Sequence, residues 1–368
     1  MKYLYTVLVA IFYTFNACAQ VDLDLDIVGN ASDDKLEFNE ESNDIKDSSS
    51  SGSIIENALS LFKKSPSTEK TFSGTIDELV KKAESGDVEA QLDLGYMYLY
   101  GVNGVNADYK QSLHYYELAA NKGNAIALNN LGSLHFNGIG TEVNYAKAIE
   151  FFKTASNLGS DDASVNLAII YLGDSNSNRT PDTYEKVFTL LEKAKNNSIA
   201  KYLLGYSYYV GFWVDKDLKK AFNLIKEVAD NDLYDEAQYV LADFYINGLA
   251  TPKNYNKAVA YLFNASNQGY PDAIYKLGDV FAEGVMYTRD IKKAHIQYNI
   301  AAVMGISDAV QKRDDLEKSI KIEELLTIQA EAENYQAAPS EKTSFIRKTY
   351  GNSLKVYIDK NIGYISLQ

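Results

Sequence analysis

The chain has 368 residues, 46% of them hydrophobic, and carries a formal net charge of −14 from 50 Asp and Glu against 36 Lys and Arg. A field of that sign repels phosphate backbones, so nucleic acid is excluded as the expected partner. Tyrosine is abundant at 29 residues while proline is scarce at 5, a balance that suits long runs of helix.

Residues 1–19, MKYLYTVLVAIFYTFNACA, open with Lys2, run through an apolar stretch from Tyr3 to Phe15 and end in the small residues Ala17 and Ala19. This is the pattern of a secretory signal peptide, too short for a comfortable membrane span, with cleavage expected after Ala19. Two other readings stand beside plain export. Cys18, the only cysteine, is a possible lipidation site of a bacterial lipoprotein, although Phe15-Asn16-Ala17 makes a poor lipobox; or the segment is retained as an anchor. The expected location is therefore periplasmic, outer-membrane-anchored or secreted, with a bacterial origin favoured and a eukaryotic secretory origin left open, and with membrane association only through a lipidated N-terminus. Residues 20–52 are acidic and Ser-rich; residues 21–50 alone hold 10 acidic and 2 basic side chains, a net of −8. Such a stretch cannot bury a core and is expected to be a disordered linker. In residues 53–73, Ile54, Ile55, Ala58, Leu59, Leu61 and Phe62 fall at helical spacing, giving an amphipathic N-terminal capping segment.

From residue 74 to 312 the chain repeats itself. Ala90, Ala127, Ala163, Ala200, Ala237, Ala273 and Ala309 follow at steps of 37, 36, 37, 37, 36 and 36. A second track lies five residues on: Gly95, Gly132, Ala168, Gly205, Ala242 and Gly278. Rings follow at Tyr98, His135, Tyr171, Tyr208, Tyr245 and Phe281, and helix-ending glycines at Gly101, Gly138, Gly211, Gly248 and Gly284. Small residues let paired helices approach, the ring fills the space between repeats, and glycine ends the helix in a left-handed conformation. One such hairpin cannot bury its own apolar face, so hairpins must stack and share a core.

The pattern A…LGxxYxxG…KA…YxxAAxxG, clearest at Ala90–Gly123, Ala127–Gly159 and Ala273–Gly305, resembles the Sel-1-like repeat family, relatives of the tetratricopeptide repeats. The resemblance implies an all-α, right-handed α-solenoid of about six helix–turn–helix repeats wound as a tetratricopeptide-like superhelix. The segment TIDELVKKAESG is expected to be the second helix of an incomplete first repeat. The third repeat departs most, with Ala168 for glycine and GDSNSNRTPDTYEK for a short turn. Residues 313–338 are charged and helical and read as a C-terminal cap, whereas residues 339–368 mix strand-like alternation with Gly and Asn, and the sequence leaves their fold open.

Nothing reads as a reaction centre, a metal site or a cofactor site. His135 sits on the ring track and is expected to be packed; His114 and His295 are expected to be solvated. No HExxH, CxxC pair, P-loop or GxSxG is present, and the chain lacks the cysteines of the family members proposed to act on cell-wall-type lactams, so a hydrolase is the distant alternative and no enzyme is expected. In tetratricopeptide-like geometry the first helix of each repeat lines the concave side. Two columns there yield a candidate groove of Tyr96, Asn129, Tyr202, Tyr206, Tyr209, Tyr239, Asp243, Tyr275 and Asp279. Tyrosine offers large contact area at low entropic cost, and the two aspartates favour a basic segment. Trp213, in the turn GFWVDKD, either staples that turn or stands as an exposed anchor. The expected function is an exported scaffold that holds a protein or peptide; a binder of peptidoglycan or glycan is the alternative. The resemblance implies complex assembly, envelope signalling or host contact.

Overall fold

The computed structural model describes residues 75–173, 181–355 and 358. The expected signal peptide with Cys18, the linker, the N-terminal capping segment, residues 174–180 of the long inter-helix loop and residues 356–357 and 359–368 of the tail lie outside that range. The regular elements among the described residues are sixteen helices, none of them long and apolar enough to cross a membrane. The chain forms two compact units, residues 1–200 and 201–368.

The N-terminal unit begins at α1 (Ile76–Glu84), the expected second helix of an incomplete repeat. Thr75 and Glu78 close a reciprocal capping box at its start. Hairpins follow: α2 (Val88–Tyr100) with α3 (Tyr109–Ala120), α4 (Ala125–Asn137) with α5 (Tyr145–Asn157), and α6 (Asp161–Gly173) with α7 (Pro181–Lys193). Thus the third repeat keeps its two helices despite its altered turn. The small-residue track acts as expected: the ring of Tyr116 lies so close to Gly95, and that of Phe152 to Gly132, that an added methyl would collide with each. Ser112 Oγ donates to the Gly95 carbonyl at 2.7 Å, tying α3 to α2. His135 is buried, stacked on Phe151 with ring centroids 5.5 Å apart. Burial, and secondarily the Lys147 ammonium, lower its pKa to about 4, so it is neutral at pH 7. His114 is exposed.

The division between the units falls in α8 (Ser198–Val210). The C-terminal unit continues with α9 (Leu218–Asn231), α10 (Asp235–Asn247), α11 (Tyr255–Asn267), α12 (Pro271–Glu283), α13 (Ile291–Val303) and α14 (Ser307–Glu317). Second helices open on a device repeated through the chain: Asp108, Asn144, Asp217, Asn254 and Asp290 each cap the helix that follows with a side-chain oxygen. First helices close on glycines in the left-handed region, as at Gly248 with φ 70°. α15 (Ile322–Glu333) buries Ile328 on the core formed by Leu262, Leu277, Phe281 and Tyr298. His295, expected to be solvated, is fully buried, its Nε2 2.9 Å from Glu317 Oε1. The periodic signal was present: Ile149 and Val259 occupy the same register and are also buried. The described part of the tail contains α16 (Glu341–Tyr350), which lies back on its own unit.

Candidate functional site

Neither candidate column is uniformly exposed. Three residues before the Gly/Ala track Leu92, Asn129, Val165 and Tyr202 are buried while Tyr239 and Tyr275 are half-buried. Asn129 is therefore corrected from a groove residue to an inter-repeat tie: its Oδ1 accepts from Asn166 Nδ2 at 3.0 Å. Tyr202 is corrected likewise. Its ring is wholly buried, edge-on to Tyr234 at 5.1 Å and stacked with Tyr206 at 6.1 Å. The apolarity of Leu92 and Val165 in that column was the signal that its earlier members point inward. Tyr96 stays half-buried in the N-terminal unit, against Tyr100 at 4.5 Å.

In the C-terminal unit the remaining residues form one face. α8 supplies Tyr206, buried to its edge, and the half-buried Tyr209; α10 supplies Tyr239 and Asp243; α12 supplies Tyr275 and Asp279. Tyr206 and Tyr209 are 5.9 Å apart, and Tyr209 rests on Phe244 at 5.1 Å. The Tyr209 hydroxyl donates to Asp243 Oδ2 at 2.5 Å while Asn247 Nδ2 donates to Asp243 Oδ1 at 2.6 Å. Burial and that carboxylate both push the Tyr209 phenol up, so it stays a proton donor at any physiological pH. Tyr239, buried beside Asp272, Asp243 and Asp279, is pushed up to about 12.

The two aspartates differ. Asp243 is half-buried, is fixed by two neutral donors and forms no ion pair among the described residues. Asp279, expected to attract a basic ligand, is buried and already satisfied. Lys312 Nζ meets its Oδ1 at 2.5 Å, the Tyr298 hydroxyl donates to the same oxygen at 2.9 Å, and Lys276 stands 3.7 Å from Oδ2. It is thus corrected from a ligand acceptor to the anchor of an internal cation. Lys312 in turn lies over the rings of Tyr275 and Tyr298, 4.6 and 5.6 Å from their centroids. Burial lowers its pKa, but Asp279 and the Tyr275 hydroxyl outweigh that and leave it raised, so the ammonium stays charged. Sequence reasoning missed Lys312 because it lies 33 residues from Asp279, at the end of the repeat region, in a pairing that no other repeat copies among the described residues.

Trp213 is half-buried, packed on Phe212 at 5.0 Å, and lines a shallow depression with Tyr208, Lys216 and Leu218. Its φ is 66°, where the register-equivalent Gly140 has 73°. Asn103 and Ala250 take the same left-handed conformation at that register, with φ 56° and 55°, so the turn recurs between repeats and Trp213 adds a ring to it. The face as a whole offers rings, phenols and, in Asp243, one carboxylate with no ion pair among the described residues.

The comparisons agree with this architecture. The Sel1 repeat model matches residues 88–124, 125–160, 198–233, 235–270 and 271–305, leaving out the hairpin with the altered turn. The chain is 32% identical over 146 residues to a sel1-like repeat-containing protein of Acanthamoeba polyphaga mimivirus, covering 39% of this chain and 26% of that one. It is 32% identical over 92 residues to HRD3B of Arabidopsis thaliana, an ERAD-associated E3 ubiquitin-protein ligase component, covering 25% of this chain and 14% of that one. The chain thus spans about a quarter or less of the length of these curated relatives. Among solved structures it is similar to a protective antigen present in uropathogenic Escherichia coli strains that displays an SLR fold, with TM-score 0.61 and 25% identity over 76% of this chain and 59% of that one. A Sel1 repeat protein from Oxalobacter formigenes shares the fold at TM-score 0.50 and 22% identity, over 62% of this chain and 100% of that one. With five matched repeats in register with the residue tracks and the same helical hairpins in solved relatives, residues 88–305 of this chain belong to the Sel1 repeat family.

Proposed function

We propose that the chain is an exported Sel1-repeat scaffold whose first-helix face in the C-terminal unit, Tyr206, Tyr209, Tyr239, Asp243 and Tyr275, binds a basic segment of a protein partner without covalent chemistry. The observation that carries this reading is Asp243: a half-buried carboxylate oriented by Tyr209 and Asn247, set among part-exposed tyrosines, with no ion pair among the described residues. Its charge is partly desolvated and uncompensated, which an incoming Lys or Arg would relieve, while the tyrosines supply contact area. The likeness to a ligase component that works within an assembly supports a role in complex formation. The signal-like pattern of residues 1–19 supports export.

The test is a pull-down from envelope and lysate fractions with the full chain, with a Tyr239→Ala, Asp243→Asn, Tyr275→Ala variant, and with Trp213→Ala. A partner lost with the triple variant and kept with Trp213→Ala supports the face. Equal recovery by all three refutes it, and recovery of cell-wall material in place of a protein shifts the reading to a glycan binder.

A further inference from the structure

The first turn of α10 carries adjacent carboxylates, Asp235 and Glu236, with exposures of 1% and 0%. At the register of Glu236, carboxylates of other repeats reach solvent: Glu89 and Asp308 are exposed, and Asp162 and Asp272 are half-buried. What covers Asp235 and Glu236 is the chain's own end. Glu236 accepts from Ser353 Oγ at 2.5 Å, from the backbone N–H groups of Leu354 and Lys355 at 2.9 and 3.2 Å, and from the Tyr234 hydroxyl. Asp235 accepts from the Arg347 guanidinium, and its backbone N–H donates to Thr343 Oγ1 at 3.2 Å. Gln268, from the next repeat, accepts from Thr343 Oγ1 at 2.7 Å and from the Ser340 N–H at 2.9 Å. Ser340 caps α16 through the Thr343 N–H at 3.1 Å.

The covering segment has the character of a ligand. Its buried residues are Ile346 and Tyr350 on α16 and, beyond Gly351 where the helix ends at φ 91°, Leu354 and Ile358, so the helix and the stretch after it both press apolar side chains on the surface. It is reached through exposed, non-helical Gln336–Pro339. The seat beneath it also holds polar capacity the segment leaves unused. The Tyr202 and Tyr270 hydroxyls are buried and make no hydrogen bond among the described residues, and both lie near enough to Glu236 for its charge to add to the effect of burial in raising them.

We infer that the Asp235–Glu236 seat is a recognition site for an amphipathic helix bearing an N-cap hydroxyl, a threonine three residues on and an arginine seven residues on, and that residues 340–355 are its resident, exchangeable occupant. This inference does not rest on the Tyr209–Tyr275 reading. A segment of the same chemistry competes with the resident one, whose short tether gives it a high effective concentration.

The experiment uses the full chain with Thr343→Val and Arg347→Ala to unseat the resident segment, after circular dichroism confirms the fold, and a fluorescent peptide of the unaltered residues 336–358. Anisotropy should show the peptide binding the unseated chain at least about tenfold more tightly than the unaltered chain, where the tethered segment competes. Adding Asp235→Asn should weaken that binding about tenfold or more, because the peptide's arginine loses its charged acceptor. No binding to the folded, unseated chain, or binding indifferent to Asp235→Asn, overturns the inference. Should the unseated chain fail to fold, a protease site inserted between Ala337 and Ala338 gives a second test. After cleavage, exchange of the released segment for labelled peptide supports the site, and a cleaved chain that never exchanges refutes it.

Discussion

Gly278→Ala tests the physical account of the small-residue track. A methyl built on Gly278 would lie 2.5 Å from Cδ1 of Tyr298 and closer still to Cε1, far inside the optimal carbon–carbon separation of about 3.5–4.0 Å. The ring has little room to yield, since Tyr298 is 2% exposed and its hydroxyl is held by Asp279 at 2.9 Å. Two effects oppose each other. Alanine gains about 1 kcal/mol over glycine in a helix interior. Overpacking a closed core costs about 1–3 kcal/mol, and swinging the ring away forfeits a bond to a charged group worth about 1.5–3 kcal/mol. The steric side wins, for an expected net destabilisation of about 1–2 kcal/mol. The chain contains its own compensated version: one repeat earlier, Ala242 and Leu262 occupy the registers of Gly278 and Tyr298. Tyr298→Leu added to Gly278→Ala should therefore leave the pair less destabilised than the sum of the singles, by about 1 kcal/mol. Urea denaturation followed by circular dichroism measures all three chains, with slopes compared because repeat arrays can lose two-state behaviour. A stabilised Gly278→Ala chain would show that the ring is free to move and that close approach is not what the track encodes.

The remaining expectations concern single side chains. His135 is held below its ordinary value, so the folded state resists its protonation; stability is complete above about pH 6.5 and declines as pH falls toward about 4, by about 2–3 kcal/mol in all. His135→Phe, which places on the track the ring that Phe281 already supplies there, should flatten this decline in thermal melts between pH 7 and 4; an unchanged slope would mean another group is responsible. Lys312→Met leaves the buried Asp279 with the Tyr298 hydroxyl and a distant Lys276, and should cost about 1–3 kcal/mol. Asp279→Asn should recover most of that loss, and failure to recover it would remove the ion pair from the account. Asn254→Ala removes the cap whose Oδ1 accepts from the Lys257 N–H at 3.0 Å, with an expected cost of about 1 kcal/mol in the same melts.

What the sequence disclosed and what it hid divide along one physical line. Each hairpin packs on its neighbours, so the geometry is written every 36 or 37 residues and the tracks through Ala90, Gly95 and Tyr98 expose it. The burial of His135 and the kept helices of the third repeat follow from register alone. Column direction was only half legible. Leu92 and Val165 marked the earlier column as interior, and Tyr202 is, yet Tyr239 and Tyr275 in the same column are half-buried, because a phenol serves equally well in a core and on a rim. Contacts made once escaped altogether. Lys312 on Asp279, Thr343 on Gln268 and Arg347 on Asp235 join residues 33 to 112 positions apart, and no second copy exists to show the pattern.

That contrast bears on where recognition resides. In the N-terminal unit the column that follows the small-residue track offers only Tyr96 and Ser133, with Ile169 after them, and the serine and isoleucine are buried. In the C-terminal unit the same column offers Tyr206, Asp243 and Asp279, and the contacts of Lys312, Thr343 and Arg347 lie there. A repeat array needs only its tracks to stand, so residues that depart from them in a single unit, at the cost of desolvated carboxylates, call for another cause. Asp243 forms no ion pair among the described residues, whereas Asp235 and Glu236 are matched to a segment that supplies an N-cap, a threonine and an arginine. Both departures are of the kind that selects one chain segment over another. Under the proposed function the N-terminal repeats supply a stack, and the C-terminal repeats are where substitutions should change which partner is held.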